Sequence, residues 1–208
     1  MLLLAGSASA AVAATHRFEF DVYLDQHPLG IHRFEVTGDP DRSATIESEA
    51  SFDLRVLGID IYRYRHHDTE RWVGGCMTAL DARTAEGGHE TAVVGELESG
   101  GFRLERPTTE RVLPPCVASY AYWDPATLLH QRALLNPQTG ALDAVSCVSL
   151  GTALVDTSRG RIEASHYRLN AAGHTIDLWY SLSGEWLKLE STVQGGRRLL
   201  YQRRDATG

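Results

Sequence analysis

The chain has 208 residues, 43% hydrophobic and 23% charged, with 20 Lys+Arg against 27 Asp+Glu for a formal charge of −7. That length sits at the upper end of one ordinary domain or the bottom of two small ones, and the apolar fraction is that of a globular core. The acidic balance argues against a general nucleic-acid binder, and no apolar run of about 20 residues offers a transmembrane segment.

Residues 1–14, MLLLAGSASAAVAA, are apolar, small and uncharged. Ala8-x-Ala10 and Ala11-x-Ala13 both meet the small-residue requirement of a signal-peptidase site. The basic stretch that normally precedes the apolar one is missing, so 1–14 reads as a truncated or atypical signal peptide. Residues 15–208 read as a single β domain, because no Gly/Pro/Ser linker, charge run or internal repeat divides them. The first cysteine is Cys76, which leaves none beside the leader to carry a lipid. The expected location is periplasmic or secreted.

From Thr15 onward the dominant period is two. Phe18, Phe20, Val22 and Leu24 alternate with polar residues, as in a half-buried strand, and Pro28 with Gly30 suggests the first turn. His32, Phe34 and Val36 share the next face, and Gly38–Asp41 marks a second turn. From Ala44 to Val56 the even positions are small or apolar while the odd ones are polar, without the three-and-four spacing of a helix. Extended runs are expected at 59–72, 76–84, 89–97, 102–106, 141–149, 153–156, 160–169, 174–182, 186–194 and 197–203. Ser99-Gly100-Gly101, Ser158-Arg159-Gly160, Ala172-Gly173, Ser183-Gly184 and Gly195-Gly196 punctuate them. One segment differs: Asp124-Pro125 is an N-cap with proline at the first helical position, predicting a short helix over Ala126–Leu134 that ends at Asn136–Gly140. The sum is an all-β domain of about 11–12 mostly antiparallel strands with one short helix. The strands are long for a sandwich, which favours a curved sheet or incomplete barrel.

Cys76 and Cys116 sit at segment edges, after Gly74-Gly75 and Pro114-Pro115, whereas Cys147 lies inside an alternating run. Three cysteines allow three single-bridge pairings; a Cys76–Cys116 disulfide with Cys147 free and packed is the favoured one. The run from Tyr62 to Trp72 is the richest in chemistry. Its even positions put Tyr62, Tyr64, His66, Asp68, Glu70 and Trp72 on one face, and the arginine-bearing odd face is easily solvated, so the even face is expected inward. Buried ionisable groups are costly unless paired and are enriched at functional sites. A Glu70–His66 couple beneath aromatic walls would serve acid–base chemistry or meet a polar ligand head; the ordinary alternative is a structural polar network with a downstream arginine as partner. His66 and His67 are adjacent and would point to opposite faces, and there is no His-Glu-x-x-His, no Gly-x-Ser-x-Gly and no glycine-rich phosphate loop. Neither a metal site nor a cofactor is therefore expected. Arg197, Arg198, Arg203 and Arg204 make a locally basic patch late in an acidic chain.

Glu70-x-Trp72-x-x-Gly75-Cys76, then Cys116 with Tyr122-Trp123, then Trp179-Tyr180 with Gly184-x-Trp186-x-x-Leu189 resemble a family of exported bacterial proteins classed as a domain of unknown function. The likeness runs over nearly the whole chain after the leader. It implies a secreted, mainly antiparallel β protein and carries no activity or catalytic residue. More loosely, the successive hairpins are similar to the curved sheets of periplasmic lipoprotein carriers, a likeness of architecture alone. Three functional expectations follow. The first is a non-enzymatic periplasmic binding module for a lipid or other apolar or amphipathic ligand. Tyr62, Tyr64, Trp72 and Trp123 would be its walls, His66 or Glu70 would meet the polar end, and the 124–134 helix would act as lid. The second is an envelope interaction protein with a solid core, acting on an envelope protein through an edge or the arginine patch. The third is a hydrolase using His66 and Glu70.

Overall fold

The computed structural model describes residues 14–56, 59–120, 122–157 and 160–204. The expected leader and the Ser158-Arg159 turn lie outside the described residues, Ala14 and Gly160 excepted. Eight strands follow one another as hairpins: β1 (Thr15–Leu24), β2 (His27–Asp39), β3 (Ser43–Val56), β4 (Ile59–Val73), β5 (Cys76–Glu86), β6 (His89–Glu98), β7 (Gly101–Arg106) and β8 (Thr109–Leu113). A connection then leads to helix α1 (Pro125–His130). Six more strands complete the chain: β9 (Ala133–Leu135), β10 (Leu142–Thr157), β11 (Gly160–Ala171), β12 (His174–Ser181), β13 (Trp186–Val193) and β14 (Arg197–Arg203).

All fourteen belong to one antiparallel sheet, in the order β8 to β1 and then β14 to β9. The first and last strands of the chain meet in its middle, with Phe20 opposite Arg203 and Leu24 opposite Leu199, so the sheet consists of two wings joined at β1/β14. β8 and β9 are its ends, and the sheet curls without closing. Its concave face is filled from both wings, since Phe20, Trp72, Phe102, Leu135, Tyr180 and Trp186 belong to a single apolar cluster. A smaller cluster around Val22, Leu29, Phe52 and Tyr64 continues it.

The gap between the wings is crossed by the connection from β8 to α1, which acts as a strap. Cys116 is disulfide-bonded to Cys76, Val117 pairs antiparallel with Met77 of β5, and Ser119 pairs parallel with Leu135 of β9. The Tyr180 hydroxyl donates to the Tyr122 carbonyl at 2.7 Å, and the Tyr120 hydroxyl donates to Asp143 Oδ2 at 2.7 Å. The turn between β9 and β10 seals the seam from the other side. A Cβ at Gly140, whose φ is +68°, would lie 2.7 Å from the Arg106 side chain at the end of β7.

The strand count exceeds the expected 11–12 because β8 and β9 carry too few residues to show a period, while 141–149 and 153–156 are one strand bent by a bulge between Ser149 and Gly151. The first turn is Asp25-Gln26, with Asp25 at φ 57°, and not Pro28–Gly30. Pro28 and Gly30 lie in β2 at a bulge facing Val22/Tyr23, where proline's missing N–H is tolerated. Glycine is required at position 30 by close approach, since a Cβ there would stand 1.9 Å from the Ser51 carbonyl oxygen. α1 starts as expected, with the Asp124 side chain accepting from the Ala126 N–H, but it stops at His130 instead of Leu134. The next residues are drawn into β9, where Leu134 and Leu135 are both fully buried.

Candidate functional site

Six polar or charged side chains are buried among the described residues: Ser48, His66, Asp68, Glu70, Thr84 and Ser119. They come from distant parts of the chain yet form one cluster. Strand pairing brings the first five together, because β4 lies between β3 and β5 with Ser48 opposite Asp68 and Thr84 opposite His66. The strap supplies Ser119.

His66 Nε2 lies 2.7 Å from Asp68 Oδ2, and its Nδ1 lies 2.8 Å from Thr84 Oγ1. Glu70 Oε2 accepts from the Trp72 indole N–H at 2.7 Å and from the Ser119 hydroxyl at 2.9 Å. The Glu70–His66 couple expected from the sequence is therefore replaced by a His66–Asp68 pair. Residues four apart on a strand stand about 13 Å from one another, twice the spacing of residues two apart, so the intervening Asp68 intercepts the imidazole. Arg65 and Arg83 border a separate pocket that His66 and Thr84 also reach, and no Lys or Arg lines the space beside Asp68 and Glu70, where the expected arginine partner would stand.

That space is a chamber of about 70 Å³. Its floor is His32 and Phe34 of β2, Ile46 and Ser48 of β3, and His66, Asp68 and Glu70 of β4. Its roof is Ser119, Tyr120, Tyr122 and Trp123 of the strap, with Pro137 and Gln138 of the β9–β10 turn. The volume suits a few waters or one small polar group. Burial, reinforced by the neighbouring Asp68 charge, lifts the Glu70 carboxyl to about 8, against the pull of its two hydrogen-bond donors. His32 is pushed the other way, down to about 3, by burial and by His66. Its ring lies 4.1 Å from that of Phe34, with Nε2 3.0 Å from Ser48 Oγ. Burial also raises the Tyr120 and Tyr122 phenols. The chamber at neutral pH thus holds a neutral imidazole at His32, a protonated Glu70 and a His66–Asp68 pair.

Of the six residues proposed from sequence as ligand contacts, His66, Glu70 and Trp123 line the chamber. Trp72 stands behind it, fully buried, with its ring 5.5 Å from Trp123 in an edge-on contact. Tyr64 and Tyr62 form a separate stack with Phe52, and the Tyr62 hydroxyl donates to Glu86 at 2.8 Å. These two tyrosines therefore belong to the smaller apolar cluster and do not wall the chamber. Trp123 also borders an open cleft of about 640 Å³ between the start of β1, the β2–β3 turn and the β12–β13 turn. It is the partition between the cleft and the chamber.

Three of the four arginines of the patch are committed to partners. Arg198 is bound to Glu190 at 2.6 Å, Arg204 to Glu19 and Asp21 at 2.7 Å each, and Arg203 donates to the Trp186 and Arg17 carbonyls at 3.0 Å. Cys147 is the free cysteine among the described residues, half-buried against the core, and burial raises its thiol. Among the described residues no three His, Cys, Asp or Glu side chains are grouped to hold a metal, and no helix is long and apolar enough to cross a membrane.

A family described as "Domain of unknown function (DUF6134)" matches residues 20–204. The chain belongs to this family. No curated protein matches the DUF6134 chain. Among solved structures it is similar to a beta-barrel-like protein of domain of unknown function DUF1849 from Brucella abortus. That likeness has a TM-score of 0.66 at 12% identity and covers 95% of this chain and 98% of the other. At that identity the likeness is one of fold, and it agrees with the curled, unclosed DUF6134 sheet.

Proposed function

We propose that this DUF6134 chain is a non-enzymatic, exported binding module whose site is the chamber under the strap. The observation that carries the reading is that five of the six buried polar side chains of the described residues line one aromatic-roofed chamber, with Thr84 hydrogen-bonded behind His66. A core satisfied by apolar packing has no need of such a cluster, and each of its members costs free energy to desolvate. The chamber offers carboxyl, imidazole and hydroxyl groups and no lysine or arginine, so the ligand end that enters is a neutral hydrogen-bonding group such as a hydroxyl. Trp123 is the partition such a ligand passes from the open cleft, where its apolar part would rest. A long acyl chain swallowed by the sheet is disfavoured, since Trp72, Trp186, Tyr180, Phe20 and Phe102 fill the concave face. The cystine Cys76–Cys116 suits an oxidising compartment and supports export.

Thr84, His66 and Asp68 do make a hydroxyl–imidazole–carboxylate string, the order of a nucleophile relay. Thr84 lies in mid-strand, however, between β4 and β6, where neighbouring N–H groups are spent on the two ladders and none is left for an oxyanion. Binding is the reading those facts favour over hydrolysis. Native mass spectrometry of protein released from the periplasm tests it. A bound mass is expected in the wild type, reduced in Trp123→Ala and in Glu70→Gln. Protein found only in the cytoplasm, or a bare mass for all three, would overturn the proposal.

A further inference from the structure

β10 is the longest strand of the sheet, at 16 residues, and among the described residues most of one of its edges has no strand beside it. On its inner side it pairs with β11 from Val145 to Thr157. On its outer side β9 covers only Leu142–Ala144, and the Val145 N–H is taken by the Arg132 carbonyl. From Ser146 to Asp156 the outer edge has no backbone partner among the described residues. The side chains do not cover it either. Val148 to Thr152 are exposed in unbroken succession, so both faces of the strand are open there, and Leu154 is 67% exposed.

Composition says what fits this edge. Unpaired N–H and C=O groups at strand spacing are satisfied by another extended backbone. The stretch Ser146–Val155, SCVSLGTALV, carries no charge in a chain that is 23% charged, so it lacks the lysines and prolines that usually blunt an edge. The opposite end of the sheet has charges in kind: β8 is five residues long and contains Arg111 and Glu110, the latter beside the Arg103–Glu105 ion pair. Pairing β10 with β8 of the next molecule would press those charges against leucines and would propagate into a filament. Pairing β10 with itself places neutral residues opposite neutral residues and closes at two copies. The bulge at Ser149–Gly151 divides the edge into two short segments. A two-fold axis at the bulge lays each segment against the other segment of the partner, antiparallel.

We propose that two copies of this chain associate through the outer edges of β10, antiparallel about a two-fold axis near Leu150, to form one continuous sheet. The surface is distinct from the chamber, and its test is independent of ligand binding. Sedimentation of the full folded chain across a wide concentration range should show a monomer–dimer equilibrium. Leu150→Lys with Leu154→Lys should weaken it at least about tenfold, because the charge at position 150 then faces its own copy across the two-fold axis and the charge at 154 enters an otherwise neutral edge. Val112→Lys on the β8 edge should leave it unchanged. In a Cys147→Ser background, Leu150→Cys should give a disulfide-linked dimer under mild oxidation and Val112→Cys should not; this pair reads the geometry even if the double lysine variant folds poorly. A monomer at every concentration, a dimer indifferent to both lysines, or cross-linking through position 112 would overturn the proposal.

Discussion

β4 and β10 are nearly equal in length, 15 and 16 residues, and their fates are opposite. β4 carries a run of charged and polar residues and buries Tyr64, His66, Asp68, Glu70 and Trp72. β10 is rich in Val, Leu and Ala and exposes Val148, Leu150 and Leu154 at 47%, 44% and 67%. The more polar strand is the more buried one. What differs is cover: β4 is paired along both edges, by β3 and β5, and the strap crosses its inner face, whereas β10 has one full neighbour. Burial in this sheet follows topology first and side-chain hydropathy second. The polar cluster survives it because every one of its buried side-chain polar atoms finds a partner.

The comparison breaks most directly if the strap is loosened. Replacing both Cys76 and Cys116 with serine removes a cross-link spanning 40 residues. The chain-entropy estimate for a loop of that length is about 4 kcal/mol. A fall of that order in unfolding free energy is expected from guanidinium titration, along with increased hydrogen exchange in β4 and none in β10. Unreduced, denatured wild type should show one free thiol, Cys147. A loss well under 1 kcal/mol would mean that the strap holds its place without the bridge.

A second test reads the polar cluster of β4 by pH. The folded chain keeps Glu70 protonated up to about 8, while the unfolded chain releases that proton near 4.5. Between those values the folded state holds a proton that the unfolded state lacks, so stability declines as pH rises through the window and levels off above it. His32 acts in the opposite sense. It accepts a proton near 6.5 when unfolded and only near 3 when folded, so its contribution is intact above 6.5 and is lost as pH falls towards 3. Glu70→Gln should flatten the alkaline decline in urea midpoints and leave the acid one in place. An unaltered alkaline decline in that variant would move the proton away from Glu70.

Much of β4 was legible in the sequence, and the reason is geometric. A period of two fixes which residues share a face, so the inward set from Tyr64 to Trp72 follows from alternation once the arginines are given to solvent. Partner choice was not legible. It depends on which residues of β3, β5 and the strap come opposite, and those registers shift at bulges between Leu54 and Arg55 and between Arg71 and Trp72. His32 was visible as an inward position beside Phe34, but nothing local ties it to Ser48 across the ladder. Ser119 was hidden for a different reason: the strap pairs with strands about 40 residues before it and about 16 after it, through single bridges too short to leave a pattern. The sequence divides β10 into extended runs at 141–149 and 153–156, and nothing in either run marks an uncovered edge. Only the three-residue length of β9 leaves its edge bare.

The smallest predicted effect tests the exposed member of the pair. Leu154→Ala removes a large apolar side chain, and in a covered strand such a truncation costs roughly 2–5 kcal/mol. Leu154 is 67% exposed, so little of its surface leaves water on folding and no cavity is created. The expected change for the dilute monomer is within about 0.5 kcal/mol, read from urea midpoints at a protein concentration low enough to suppress self-association. The same substitution at Leu135, fully buried in β9, supplies the scale and should fall in the larger range. A cost at Leu154 that approaches that of Leu135 in dilute protein would mean that β10 is covered in solution by the chain itself, and the contrast with β4 would then lose its basis in topology.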